Sequence, residues 1–183
     1  MNRQTGFTLV ELLVVIGILT ILLTVGMPSY LYITNSYRIS AEVNGLLGDL
    51  QYAREEAIKE GQFVTVCVSS NAINCSGATT WQSGWIVYSN PPNTNVPAAG
   101  SVLRVQAAFT GTVPDTFVAN TGITEVTYNR EGFATTAAGF PNSLLTLHDR
   151  TANKVWTRCL WITPIGLASV QTNINNFSGM LCQ

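Results

Sequence analysis

From Phe7 to Met27 the chain carries a single charged residue, Glu11, among side chains that are otherwise apolar or small. A run of about 20 such residues is long enough to cross a bilayer as a helix. The acid is the anomaly. Moving a carboxylate into hydrocarbon costs a few kcal/mol even on lenient scales, so an acid inside such a run points to a function. It can stay there protonated, or it can face a positive charge. Cleavage between Gly6 and Phe7 would supply one, as a free amine close in sequence to Glu11. A cleaved secretory signal fits less well, because the run exceeds the usual apolar segment of such signals and no A-x-A site follows it.

The segment Met1-Asn2-Arg3-Gln4-Thr5-Gly6, followed by Phe7-Thr8-Leu9-Val10-Glu11-Leu12, resembles the class III leader and mature N-terminus of type IV pilins and type II secretion pseudopilins. The resemblance implies that a prepilin peptidase cuts after Gly6 and methylates the new N-terminus at Phe7. It implies, too, that Glu11 meets the N-terminal amine of a neighbouring subunit during assembly. Pro28 falls where pilins commonly carry a helix-kinking proline.

In a chain of 183 residues, the part beyond the anchor suits one domain with its own core. Only 10% of residues are charged and the formal net charge is −1, which argues against a polyanion-binding surface over the whole domain but not against a local patch. Arg3 is the only charge ahead of the apolar run, so the positive-inside rule keeps that end cytoplasmic and puts the remainder on the far side. No second long apolar run occurs, and one span is expected.

Past Pro28 come Tyr30, Tyr32, Tyr37 and Arg38, suited to an interface. A helical period then resumes, with Val43, Leu46, Leu47, Leu50, Ala53, Ala57 and Ile58 recurring at three and four residues. Gly61 supplies a C-terminal stop. The spacing predicts one helix from Phe7 to about Glu60, with Pro28, Gly45 and Gly48 as places for bending or local melting. Beyond it the period changes to two. Strands are predicted at residues 63–68, 84–88, 102–106, 124–128, 143–148 and 155–162, with a last one at 166–171. A Pro-Pro-Asn-Thr-Asn loop comes after the second of them. The fold class is α+β: a long N-terminal helix, transmembrane in its first half, packed on an antiparallel sheet domain. The expected divisions are a cleaved leader at 1–6, a transmembrane helix half at 7–28, an amphipathic periplasmic half at 29–61 and a β-rich domain at 62–183.

Further motifs resemble the GspH/FimT-like branch of minor pilins. They are Ala53-Arg54-Glu55-Glu56-Ala57-Ile58-Lys59-Glu60-Gly61, Val66-Cys67-Val68-Ser69, Gly84-Trp85-Ile86-Val87-Tyr88, Val102-Leu103-Arg104 and Tyr128-Asn129-Arg130-Glu131-Gly132. Four cysteines lie beyond the apolar run, an even count that reads first as disulfides in a non-cytoplasmic domain. A local Cys67–Cys75 bridge is the natural pairing and Cys159 would then hold the tail through Cys182, although spacing alone leaves the connectivity open. Zinc held by these thiols with His148 is the alternative; the spacings are not paired C-x-x-C, and no metal is assigned.

Catalysis finds little footing. His148 is the only histidine, and Ser143 lies on the same predicted strand rather than converging on it from elsewhere. No glycine-rich phosphate loop occurs, and no cofactor is expected. DNA binding is the rival function. In FimT-like proteins associated with DNA uptake the tail carries a Gly-Arg-x-Arg motif, whereas this chain has Pro164-Ile165-Gly166-Leu167-Ala168-Ser169 at the corresponding place. Arg150, Lys154 and Arg158 around one hairpin are the substitute phosphate contacts. The resemblance favours a minor pilin or pseudopilin that primes assembly near the tip of a type IV pilus or type II secretion apparatus. Its expected partners are prepilin peptidase, other minor and major pilins or pseudopilins, and the inner membrane.

Overall fold

The computed structural model describes residues 6–89, 97–98, 100–111, 114–135, 142–172 and 182, with Pro28 described by its backbone alone. The expected leader residues 1–5 and most of the proline-rich loop lie outside them. The chain divides into two units, Met1–Arg38 and Ile39–Gln183. Helix α1 runs from Leu9 to Glu60 and contributes to both.

Helix α1 begins on Thr8, whose Oγ1 accepts the Glu11 backbone N–H at 3.2 Å, the first arm of a Thr-x-x-Glu capping box. It ends on Gly61 in the left-handed region, φ 65°, with the Gln62 N–H donating to Ala57 O at 3.2 Å. That is a Schellman stop, and a glycine makes it without a Cβ penalty. Between these ends the helix stays unbroken through Pro28, Gly45 and Gly48, the weak points the sequence predicts. One lost N–H or side chain is insufficient to melt a helix of 52 residues whose flanking ladder is intact.

In the second unit Ile39, Val43, Leu46, Leu50, Ala53 and Ala57 are all buried, a stripe stepping by four and three residues. Ile58, assigned to this stripe from sequence, is half-exposed: it lies one residue past Ala57 and so about 100° around the helix. Ile39 belongs to the stripe although the period first becomes legible after it.

Two antiparallel sheets complete the core, where the sequence predicts one. The first contains β1 (Val64–Val68), β2 (Trp85–Ser89), β3 (Val102–Gln106), β5 (Glu125–Tyr128) and β6 (Ala134–Thr135), in the order β3-β2-β1-β5-β6. The second contains β4 (Thr116–Ala119), β7 (Ser143–His148), β8 (Arg158–Ile162) and β9 (Ala168–Thr172), in the order β4-β7-β8-β9. Strands β4 and β6 have no counterpart in the sequence reading. The strand predicted from Val155 opens instead with a 3₁₀ turn, Lys154–Trp156, capped by Asn153, and extends only from Arg158.

Alternation along the strands assigns each residue to a face. Val64, Val66 and Val68 of β1, Trp85 and Val87 of β2, Leu145 and Leu147 of β7, and Leu160 and Ile162 of β8 all join the helix stripe in one core. Their neighbours point the other way into two smaller clusters. Cys67, Ile86 and Tyr88 gather with Cys75 and Val102, while Leu144, Cys159 and Trp161 gather with Cys182. Strands buried on both faces read as continuous apolar runs, as Val66-Cys67-Val68 and Leu144-Leu145 do here.

Candidate assembly site

Among the described residues of the first unit, the large apolar side chains of the helix lie open. Phe7 is 83% exposed, and Leu9, Leu12, Ile16, Leu19, Leu22, Val25 and Ile33 are exposed as well. Three threonine hydroxyls turn inward to the backbone: Thr20 Oγ1 donates to Ile16 O at 2.7 Å, Thr24 to Ile21 O at 3.0 Å, and Thr34 to Tyr30 O at 3.0 Å. A threonine that satisfies its own donor this way can lie in an apolar medium at little cost. By length and composition α1 is apolar enough to cross a membrane. Gly6 and Phe7 precede its first turn, and Glu11 falls within that turn. Aligned peptide dipoles favour a negative charge at this end of a helix.

In the second unit two side chains bind the helix to the sheets. Arg54 donates from Nε to Gly132 O at 2.9 Å and from Nη2 to Ile165 O at 3.4 Å. Asp49 accepts the Trp85 indole N–H at 2.8 Å on one oxygen and pairs with Arg104 at 3.0 Å on the other. The Arg104 guanidinium carbon also lies 3.7 Å from the Tyr52 ring centroid. Edge strand β3 is thereby held on the helix. Burial pushes the Tyr128 phenol well above its usual range, opposed by the nearby Arg54 guanidinium, and burial raises the Glu125 carboxyl. The sequence reading misses Asp49 and Arg54 as organising residues.

All four cysteines are bonded, Cys67 to Cys75 with Cα atoms 5.6 Å apart and Cys159 to Cys182 at 5.8 Å. Each bridge lies in the cluster on the sheet face turned from the helix. The zinc alternative therefore has no thiolate to use, and His148 Nδ1 instead lies 3.2 Å from Thr157 Oγ1.

Arg150, Lys154 and Arg158, the residues offered as phosphate contacts, all lie on or beside the connection that joins β7 to β8. Arg158 donates to Val155 O at 3.1 Å and Thr157 O at 2.9 Å, both on its own hairpin. The Arg150 backbone N–H is held by Asp115 Oδ1 at 2.9 Å, and Lys154 opens the 3₁₀ turn. The 164–169 stretch, where a DNA-uptake motif would place its arginines, is a turn running into the start of β9, and its buried Gly166 backs onto Gly132 and the Arg54 side chain.

Residues 42–166 match the family model of the type II transport protein GspH, and residues 1–27 match the prokaryotic N-terminal methylation motif. Prepilin peptidase-dependent protein D of Escherichia coli (strain K12) is 31% identical over 111 residues, a stretch that spans 61% of this chain and 66% of that relative. Two crystal structures of the type IV minor pilin FimU of Pseudomonas aeruginosa (strain PAO1) share the fold at 16% identity. One has a TM-score of 0.54 over 72% of this chain and 91% of FimU, the other 0.58 over 76% and 92%. None of these matches lends support to the DNA-uptake alternative. With the model match extending from α1 to the turn after β8, and the methylation motif ahead of it, the chain belongs to the GspH family of minor pilins and pseudopilins.

Proposed function

We propose that the chain works as an anchored, assembly-priming subunit of a type IV pilus or type II secretion pseudopilus. In this reading prepilin peptidase removes residues 1–6 after Gly6 and methylates Phe7. Residues 7–28 hold the subunit in the inner membrane, and the chain from residue 29 onward faces the periplasm. The observation that carries it is the pairing of an uncovered apolar helix with one acid in its first turn. Side chains that lie in lipid before assembly can pack against other helices afterwards. Glu11, costly in either setting alone, is offset when the cationic amine of an adjoining subunit reaches it; such a pair fixes axial register even where its net energy is small. Pro28, at the far end of the apolar run, is where a kink would let the two helix halves diverge. No reaction is assigned to the chain: its part is to pack, position and prime.

The test is Glu11→Val in cells with an intact assembly system. The variant should insert in membranes at wild-type level yet be recovered from sheared fibres or pseudopili in strongly reduced amount. Wild-type incorporation would refute the pairing. Mass spectrometry of the membrane-extracted protein should find Phe7 at the N-terminus carrying a methyl group, and intact Met1 would refute the processing.

A further inference from the structure

Gly45 is one of four interior glycines of α1, and the one among them that a side chain from the sheet faces. An interior glycine weakens a helix relative to alanine, and α1 passes through it all the same. Packing does not demand a glycine: a Cβ there would meet only the Trp85 ring, at 4.0 Å, which is ordinary van der Waals contact. What the absent side chain leaves is space. Glu42 and Gly45 from α1, Trp85 from β2, Gln106 at the end of β3 and residues 107–110 after it line an open cleft of about 340 Å³.

The walls are firm. Phe109 meets Trp85 edge-on, centroids 6.1 Å apart and planes at 82°, and stacks on Phe117 at 6.3 Å. Its backbone N–H donates to Gln82 O at 2.9 Å, and Trp85 is itself held by Asp49. Glu42 is half-buried, and it is the single charged residue among those lining the cleft. It has contacts of its own, but a carboxylate offers about four acceptor positions and so can take a further donor.

We propose that this cleft receives one basic side chain, arginine or lysine, from a neighbouring subunit. The aliphatic stem lies against half-buried Phe109 and residues 106–108, with the buried Trp85 ring only at the floor, and the cationic head reaches the Glu42 carboxylate. The half-buried Phe109 ring suits such a stem, and a charged donor makes the stronger bond to a carboxylate. A purely apolar occupant would desolvate Glu42 further with nothing in return, and an anion would be repelled. The volume lies at the low end of the roughly 300–1,000 Å³ of ligand sites, the size for a side chain. The inference rests on the subunit reading, which supplies the neighbours, and it makes Glu42 and Gly45 a second register contact, remote in sequence from Glu11.

The experiment titrates the full-length ¹⁵N-labelled chain in detergent micelles with N-acetyl-arginine amide, and separately with its uncharged isostere N-acetyl-citrulline amide. The Trp85 indole N–H and the Gly45 amide report. The arginine compound should give saturable shifts in the millimolar range, and the citrulline compound should bind about tenfold more weakly, as expected when a charge-assisted bond is lost. Glu42→Gln should abolish the preference, and Gly45→Ala should weaken both compounds while raising thermal stability. Equal titration by the two compounds, no titration by either, or a preference that survives Glu42→Gln would each overturn the proposal. The comparison on the unmodified chain stands even if a variant misfolds. Leader processing and fibre incorporation do not enter the readout, so failure here leaves the subunit reading intact.

Discussion

Arg54→Ala should weaken the second unit more than the surface position of the residue suggests. The guanidinium joins the helix to the ends of both sheets, through Gly132 in the turn between β5 and β6 and Ile165 in the turn between β8 and β9. The two turns are also tied directly, by the Ala134 N–H donating to Pro164 O at 3.0 Å. A hydrogen bond from a charged donor contributes about 1.5–3 kcal/mol net. The Nε bond, at 2.9 Å and part-buried, takes that range, whereas the exposed one at 3.4 Å adds a few tenths at best. The expected loss is thus about 2–3 kcal/mol.

For a chain of this size 1 kcal/mol moves Tm by about 2–4 °C, so Arg54→Ala should lower Tm by about 4–12 °C. Thermal unfolding of the full chain in micelles, followed by near-UV circular dichroism, measures this. Arg54→Lys should recover less than half of the loss, because an ammonium lacks the planar fork that reaches two carbonyls at once. Lys59→Ala is the control. Lys59 pairs with Glu56 and Glu60 on the exposed side of the same helix, and removing such pairs should shift Tm by less than about 2 °C. An Arg54→Ala Tm equal to that of the Lys59 control would refute the reasoning.

The remaining predictions concern the same unit. Loop-closure entropy assigns about 2.5 kcal/mol to the Cys67–Cys75 bridge and about 3.4 kcal/mol to Cys159–Cys182, whose sequence separations are 8 and 23. The paired serine variants should lose stability in that order in denaturant titrations, and the reverse order would contradict the entropic account. Burial raises the Glu125 carboxyl above its ordinary 4.5, so the folded state binds more protons, and stability falls as pH rises from 4.5 through the folded value. Glu125→Gln should therefore raise Tm at pH 7 and lose that advantage near pH 4; a constant difference across the range would count against it. Gly122 and Gly166 both sit in the left-handed region, φ 72° and 79°, but an added Cβ meets nothing within 4 Å at Gly122 and collides with Gly132 O at Gly166. Gly122→Ala should cost about 1–2 kcal/mol, the left-handed penalty alone, and Gly166→Ala clearly more by the same denaturant assay; equal losses would remove the close approach from the explanation.

How much is legible in the sequence depends on where each element finds its partners. The helix can be read because its partners all lie on one side, and a face repeating at 3.6 residues leaves Val43, Leu46, Leu50, Ala53 and Ala57 in sequence order. Strand β4 cannot be read. With four residues, Thr116–Ala119, it shows only two turns of alternation between Pro114-Asp115 and Asn120-Thr121-Gly122, and its place is set by long-range contacts. One of these is the Gln82 Oε1 accepting the Phe117 N–H at 2.9 Å. The second sheet escapes for a related reason: Leu144-Leu145 and Cys159-Leu160-Trp161-Ile162 are apolar on both faces, and one helix accounts for just one of them.

The same distinction separates the two parts of the site. Gly6, Phe7 and Glu11 are visible because the proposed chemistry of the N-terminal region is local, an acid a few residues from the bond proposed to be cut. Arg54 stands within a family-like motif that gives it no role, since it binds carbonyls 78 and 111 residues away, and a backbone carbonyl has no identity in a sequence. What such a contact does leave is the shape of its surroundings. Two turns must approach closely enough for one guanidinium to serve both, and there a Cβ on Gly166 would strike the Gly132 carbonyl while one on Gly132 would crowd Ile58 and Arg54 of the helix. Gly132 and Gly166, at φ 81° and 79°, are that trace. An arginine on a helix with two distant turn glycines is a weak signal alone, and it acquires meaning only when the sheets that carry those turns are known to meet.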